Sequence, residues 1–467
     1  MVGLCKYALI HPLSLSSRER SARAALTGVV DFRSRCIVVL LLFMCLLLTV
    51  NAHAWPGDPW GGGARIDRVM PVDRRLLAAE VERGGGDDRG DGEKGETALA
   101  SSLPDSTPPS VWLGTAPFCA ASRRDCEILG LNYVRSDTSG DGLPCLCGEK
   151  VLCEVPQIRL KTAESDHVTS FTIVQYNILD RPFWIGHDGQ RERVCRIPQA
   201  LARHIASQEH VDAIVFNESF VGVCAPDLRM TEILTYYGWS HYLPRLSIWW
   251  KPSNGGIFIA SRWPIMASQT MVYRACSFSD CLAAKGVQYA KIKKTMGGRS
   301  KSFHLFGTHL QGYLGTNVPA VRRQQLQEMA EFVAQQRIPA DEPVLLAGDF
   351  NTRGPSGQAF QDLVDILRVD VPTIVGERRA TMDVDNTLVG RGPWWVDYVL
   401  PSAVHQQPRE ASMETVALRT EREFAICYEA KLQPYYVAPD APTCTRTVYV
   451  RDLSDHYPVI GRFEYRH

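Results

Sequence analysis

From about residue 168 to the C-terminus, short apolar runs of strand period alternate with stretches of helical period, and this alternation restricts the fold more than any other feature. Phe171 to Tyr176 alternates apolar and polar residues, Ala213 to Phe216 and Pro343 to Ala347 are short apolar strands, and Tyr457 to Phe463 is a last one. Ile197 to Ile205 and Val321 to Val333 repeat apolar residues at three and four, the spacing of an amphipathic helix. The order predicts an α/β domain. Sheets of that kind collect functional residues just past their strand ends. Five polar clusters stand at such places: Gln175-Tyr176-Asn177, Asn217-Glu218, Gly307-Thr308-His309-Leu310, Gly348-Asp349-Phe350-Asn351 and Ser454-Asp455-His456.

The residues ahead of this domain, at 168–467, divide into three parts. In residues 1–54, Arg18, Arg20, Arg23, Arg33 and Arg35 lead into the apolar run Ile37 to Val50, followed by Ala52-His53-Ala54. A membrane-spanning helix needs about 20 apolar residues, and this run is shorter. It reads as a signal peptide with a long basic region, the alternative being a signal anchor; in both cases the rest is translocated. The chain is therefore expected to be secreted or to face a lumen or the cell exterior. Residues 55–112 are rich in Gly, Pro and charge, keep no apolar period and read as a disordered linker that contains Arg89-Gly90-Asp91. Residues 113–160 are expected to form a small module, with five cysteines between Cys119 and Cys153.

Of 14 cysteines, eleven follow Ala54. In an oxidising compartment they are expected to be mostly disulfides, the odd number leaving one thiol free or paired to another chain. A zinc site from Cys145, Cys147 and Cys153 is the alternative. Asp137 to Gly142 faintly resembles a calcium loop but lacks the terminal Glu, so a polar turn is expected.

Taken singly, an Asn or Asp after a strand is most often a turn residue. Together, the five clusters supply what phosphodiester hydrolysis requires. A divalent metal held by carboxylate and amide oxygens neutralises the phosphoryl group and stabilises the leaving oxygen. A histidine oriented by a carboxylate deprotonates water.

In their order and spacing the five clusters resemble the endonuclease/exonuclease/phosphatase superfamily, over roughly 290 residues from Phe171 to Phe463. Within it, Asn254-Gly-Gly-Ile-Phe-Ile-Ala-Ser-Arg-Trp-Pro-Ile265, Phe303 to Gln311, Cys276-Ser-Phe-Ser-Asp-Cys281 and Ser454 to Val459 are similar to the secreted, bacterial-type neutral sphingomyelinases. The resemblance implies a DNase-I-like four-layer α/β sandwich, two mixed sheets packed together with helices outside. It implies a disulfide-closed hairpin at Cys276 and Cys281. Glu218 matches the central magnesium ligand and Asn177 a member of the same shell, with Mn2+ or Co2+ as substitutes. His456 matches the general base and Asp397 the carboxylate that orients it. His309 matches the histidine that donates to a phosphoryl oxygen or the leaving group. Asp349 and Asn351 match the pair that positions phosphate and nucleophile, and Asp455 a residue that holds either the metal or His456. Asp383, Asp385 and Asn386 read as polar loop residues.

The implied activity is a secreted magnesium-dependent sphingomyelin phosphodiesterase that releases ceramide and phosphocholine. The alternatives are a secreted DNase-I-like endonuclease and a catalytically inactive lipid-binding protein. A formal net charge of zero argues against a nucleic-acid partner, whose phosphates call for a basic surface. Peripheral membrane contact is expected through Leu246-Ser-Ile-Trp249-Trp250 and the Cys276–Cys281 tip with Phe278, although adjacent tryptophans are as readily core residues. Trp394-Trp395 suits core or the wall of a headgroup pocket. The continuation Arg181-Pro-Phe-Trp184 after the first cluster is unusual for the family and is placed to shape the substrate mouth. A monomer is expected. Asn217-Glu218-Ser219 fits a glycosylation sequon but is expected to stay unmodified beside the metal ligand.

Overall fold

The computed structural model describes residues 107–161, 167–313, 315, 317–430 and 435–466. The expected export signal, the Arg89-Gly90-Asp91 motif and most of the expected linker lie outside them. Two sheets make the frame. One has seven strands, in spatial order Thr373–Val375, Glu410–Thr415, Val459–Glu464, Ser170–Asp180, Ala213–Ser219, Phe258–Ser261 and His241–Tyr242. The other has five, in the order Ile265–Val272, Gly286–Met296, Arg299–His309, Val344–Gly354 and Trp395–Pro401.

Side-chain alternation along the strands separates the layers. Phe171 and Ile173 of the larger sheet face the smaller one, and the Phe171 and Phe303 rings stack with centroids 4.2 Å apart. Val174, Tyr176 and Ile178 point the other way, into a core shared with the helices Gln190–Leu201 and Met230–Tyr236. On the far side of the smaller sheet, Leu326, Met329 and Phe332 of the helix Val318–Gln335 and Phe360 and Leu363 of the helix Gln358–Leu367 cover it. The result is helix, sheet, sheet, helix: the expected four-layer sandwich.

Two expectations about local structure need correction. The helix expected at Ile197 starts at Gln190, because Glu192 and Arg193 are buried and break the apolar period that would have marked its first turns. Gly348-Asp349-Phe350-Asn351 lies inside the strand Val344–Gly354 and not beyond it, as Gln175-Tyr176-Asn177, Asn217-Glu218 and Gly307-Thr308-His309 lie inside Ser170–Asp180, Ala213–Ser219 and Arg299–His309. Glycine is required at 348, where a Cβ would meet the Thr308 carbonyl oxygen at 2.0 Å.

The Cys-rich segment forms a four-stranded sheet whose first strand is Ser110–Leu113, a few residues ahead of the expected boundary. Its Val111, Leu129 and Val155 join the core of the larger sheet, and Arg196 Nη1 donates to the Ile128 carbonyl at 2.6 Å. Disulfides link Cys119 to Cys145, Cys126 to Cys153, Cys195 to Cys224, Cys276 to Cys281 and Cys427 to Cys444. Cys147 is also disulfide-bonded, so the odd thiol expected from the count is not free. All three cysteines of the zinc alternative are therefore disulfide-bonded. At Asp137 the calcium-like segment is a turn, with the carboxylate accepting from the Ser139 and Gly140 amides. Among the described residues no helix is long and apolar enough to cross a membrane.

Candidate active site

Strand register alone gathers most of the sequence-selected residues. In the smaller sheet His309 pairs with Asp349, and Asp349 with Asp397, so three adjacent strands present them in one row. In the larger sheet Asn177 pairs with Asn217, one residue before Glu218. The last strand runs antiparallel to Ser170–Asp180, with Val459 opposite Gln175, which delivers His456 to the same end. The register breaks between Asn177 and Asp180 and between Asp349 and Gly354. Left-handed backbone stands at these strand ends, at Leu179 (φ 49°), Glu218 (φ 50°) and Asn351 (φ 50°). Such conformations cost about 1–3 kcal/mol each in non-glycine residues and persist where the surroundings enforce them, as at functional sites.

The two rows are stitched across the sandwich by Asn217, which is fully buried. Its Oδ1 accepts from the Asp349 amide at 2.7 Å and from Gln175 Nε2 at 2.9 Å, and its Nδ2 donates to the Thr308 carbonyl at 2.9 Å. An amide with both ends engaged has no room for a glycan. Gln175 Nε2 also donates to Asp397 Oδ1 at 3.1 Å. The other carboxylate oxygen, Asp397 Oδ2, lies 2.7 Å from His456 Nδ1. Asn177 Nδ2 donates to Asp349 Oδ2 at 3.1 Å and approaches Glu218 Oε1 at 3.4 Å. The Asn351 amide donates to Asp349 Oδ1 at 2.8 Å. Asp349 Oδ2 is 3.5 Å from His309 Nε2 and 3.9 Å from His456 Nε2. All eight sequence-selected residues meet at one end of the sandwich.

Asp455 makes no hydrogen bond to His456. Its Oδ1 accepts from Ser454 Oγ at 3.2 Å, and its charge acts on Glu218. Burial first, and then Asp455, raise the Glu218 pKa. Burial and then the Asp397 charge raise Asp349. For His456, burial favours the neutral form, but Asp397, Asp455 and Asp349 outweigh it and hold the imidazole well above its usual value. His309 goes the opposite way, driven well below by burial, Lys285 and His456. Two cations would not share that corner, since Lys285 Nζ lies 3.3 Å from His309 Nε2 and is anchored by Asp280 Oδ2 at 2.8 Å. Environment thus shifts the two histidines in opposite directions.

Ligand-capable atoms of Asp349, Asp397 and His456 lie within 4.8 Å of one another. A cation using Asp397 Oδ2 or His456 Nδ1 would compete with the hydrogen bond between them. Glu218 and Asp455, partly exposed and mutually repelling, offer oxygen donors at no such cost.

Several contributors escaped the sequence reading. Asn386, read as a loop residue, donates from Nδ2 to the Ser454 carbonyl at 2.9 Å and fixes the Ser-Asp-His turn. Asp383 and Asp385 do pair locally, with Arg378. No local signal in the sequence gives Lys285 a role, and Asn217 stands out only as the neighbour of Glu218 and as a sequon. Trp395 is buried and donates from Nε1 to the Asp397 carbonyl at 2.7 Å. The Arg353 guanidinium lies over the ring of Trp394, 3.9 Å from its centroid.

The endonuclease/exonuclease/phosphatase family model matches residues 176–456. Sphingomyelinase C of Listeria ivanovii is 25% identical over 329 residues, 65% of this chain and 89% of that protein. Sphingomyelinase C of Leptospira interrogans is 30% identical over 305 residues, 60% of this chain but 48% of that protein. Among solved structures, a mutant beta toxin from Staphylococcus aureus with bound magnesium ions superposes with a TM-score of 0.52 at 24% identity, covering 64% of this chain and 100% of that one, which shows the shared fold. The chain belongs to the endonuclease/exonuclease/phosphatase family.

Proposed function

We propose that this member of the family is a phosphoric diester hydrolase that uses a divalent metal, Mg2+ foremost, to cleave sphingomyelin into ceramide and phosphocholine outside the cell. The observation that carries the reading is the 2.7 Å pair of Asp397 and His456, buried within reach of Asp349 and beside the exposed edge of Glu218 and Asp455. Both similar curated proteins named above are sphingomyelinases.

A hard cation takes oxygen ligands. Glu218, whose ionisation burial and then Asp455 oppose, and Asp455 itself, with the Asn177 amide beside them, are a donor set of that kind. Bound there, the metal would supply a Lewis acid for a phosphoryl oxygen. Asp397 fixes the His456 ring so that Nε2 faces the site and takes the proton of the attacking water. A base with a raised pKa keeps the proton it takes. Asp349, locked by the Asn351 and Asn217 contacts, orients the water and the phosphate. Neutral His309 and the adjacent Lys285 ammonium supply a hydrogen bond and a positive charge toward the leaving oxygen.

The lipid would be met through aromatic side chains. Trp249 is 91% exposed, Trp250 62% and Phe278 72%, against the alternative of burial. Lys251 ties the two loops together, donating to the Cys281 carbonyl at 2.9 Å and the Ala283 carbonyl at 3.0 Å. Export through the first 54 residues accords with five disulfides. The purified chain is to be incubated with sphingomyelin liposomes and, separately, supercoiled plasmid, with Mg2+ or a chelator. Phosphocholine release that requires Mg2+, without nicking, is expected. Nicking without lipid cleavage would replace the reading with that of a nuclease.

A further inference from the structure

A cleft of about 740 Å³ adjoins the site through Asp455. Its walls include Leu179, Arg181, Trp184, Asp188, Arg391 and Tyr428. Arg181 is the residue after the strand Ser170–Asp180, and Pro182 behind it favours extended backbone there. The segment that follows is pinned by Gln190, whose Nε2 donates to the Arg181 and Gly186 carbonyls and whose Oε1 accepts from the Asp188 amide.

Arg193 holds the whole arrangement to the site. It is fully buried, and all five of its N–H groups are used. Nη1 donates to the Ile178 and Leu453 carbonyls, Nη2 to the Leu179 carbonyl and Asp188 Oδ1, and Nε to the Asp188 carbonyl. Asp188 Oδ2 then receives Arg181 Nε at 3.1 Å and Nη2 at 2.7 Å. The charges do not balance within this group. Arg193 already neutralises Asp188, so Arg181 is a surplus cation, 37% exposed, with Nη1 making no hydrogen bond to a described residue. Burial opposes its charge, while Asp188, Glu218 and Asp455 favour it. A surface pair alone would stabilise little and would not call for a buried Asp188–Arg193 mount.

We propose that Arg181 is a substrate-binding residue that takes a phosphate oxygen of the diester through its free Nη1 edge, presented by Asp188 and Arg193. A guanidinium aligned before binding loses little freedom when it engages a phosphate, and its fork suits phosphate oxygens better than an ammonium does. The positive charge of Arg181 also complements the single negative charge of a phosphodiester.

This inference rests on the reading of the site as one for a phosphodiester, and the test separates the two. Inorganic phosphate is titrated calorimetrically in Mg2+ into the full chain and into Arg181→Gln and Arg181→Lys, and sphingomyelin hydrolysis is measured in parallel. Arg181→Gln is expected to weaken phosphate binding about tenfold or more and to raise KM, with Mg2+ bound no more weakly and Tm unchanged. Arg181→Lys, which keeps the charge and loses the fork, should fall between. Phosphate affinity within twofold of the parent chain in both variants overturns the proposal, even if sphingomyelin is cleaved. A parent chain that cleaves no phosphodiester overturns the functional reading instead, since phosphate binding is measured without turnover.

Discussion

Oδ2 of Asp397 lies 2.7 Å from Nδ1 of His456, while Oδ1 of the same carboxylate accepts from Gln175, so the carboxylate cannot turn without breaking a second hydrogen bond. The ring it holds has one nitrogen left for chemistry. His456→Ala is therefore expected to lower the phosphocholine release rate by about three orders of magnitude, the range of a lost general base. Asp397→Asn should cost roughly a hundredfold through loss of ring orientation and charge. Circular dichroism and Tm of both variants should match the parent chain, and turnover within a factor of a few in His456→Ala would remove His456 from the mechanism.

Glu218 is the carboxylate whose ionisation is opposed by burial and then by Asp455. Its replacement by Gln removes one of the two negative charges that would recruit the cation, and it relieves that repulsion. Mg2+ affinity, measured by calorimetry without lipid, should fall about tenfold or more, in line with the loss of a ligand charge. Stability without metal should hold or rise. Equal Mg2+ affinity in Glu218→Gln would move the metal to other residues.

A third expectation concerns stability and pH. Glu192 is fully buried, its Oε1 accepting from Tyr436 at 2.8 Å and its Oε2 lacking a partner. Burial, ahead of the opposing Tyr436 and Arg196 contributions, raises its pKa from 4.5 to about 7. A raised carboxyl pKa means that the folded state binds the proton more tightly than the unfolded one between those values. The contribution of Glu192 to stability thus falls as pH rises through that window, by on the order of 3 kcal/mol at 1.36 kcal/mol per unit, and is constant above it. Glu192→Gln should flatten the slope of denaturation free energy between about pH 5 and 7. An unchanged slope in the variant would show that Glu192 is ionised in the fold.

How much of this was legible follows from where each interaction lies along the chain. Gly-Asp-Phe-Asn and Ser-Asp-His could be read because each packs several site groups into a few contiguous residues at the end of an apolar strand, and strand register does the rest. The Asp188–Arg193 mount could not, because nothing local marks the carbonyls of Ile178 and Leu179 as its acceptors and Leu453 lies 260 residues away. The same burial of Glu192 and Arg193 hid the first turns of their helix. Adjacent tryptophans carry no signal for burial or exposure, so Trp249-Trp250 was undecided until neighbouring loops were in place. Asn217 shows the limit from the other side: a sequon by pattern, it is an inter-sheet stitch by contact.

Those tryptophans support the last prediction. Trp249 and Trp250 form an edge-to-face pair with centroids 5.5 Å apart, and both are more than half exposed. Phe278 and Leu282 are exposed on the adjacent loop, which a backbone bridge between Ser253 and Ala283 joins to the first. Indole rings favour the boundary between water and acyl chains. Contiguous exposed aromatic surface on a soluble domain otherwise marks a partner site. Trp249→Ala with Trp250→Ala should therefore weaken sedimentation with sphingomyelin vesicles about tenfold or more and slow hydrolysis of vesicle lipid in proportion. Hydrolysis of a water-soluble phosphocholine diester should stay within twofold, because neither ring touches the groups around Asp397 and His456. Should both substrates slow equally, the loop acts on the site itself; should neither slow, the membrane is met elsewhere.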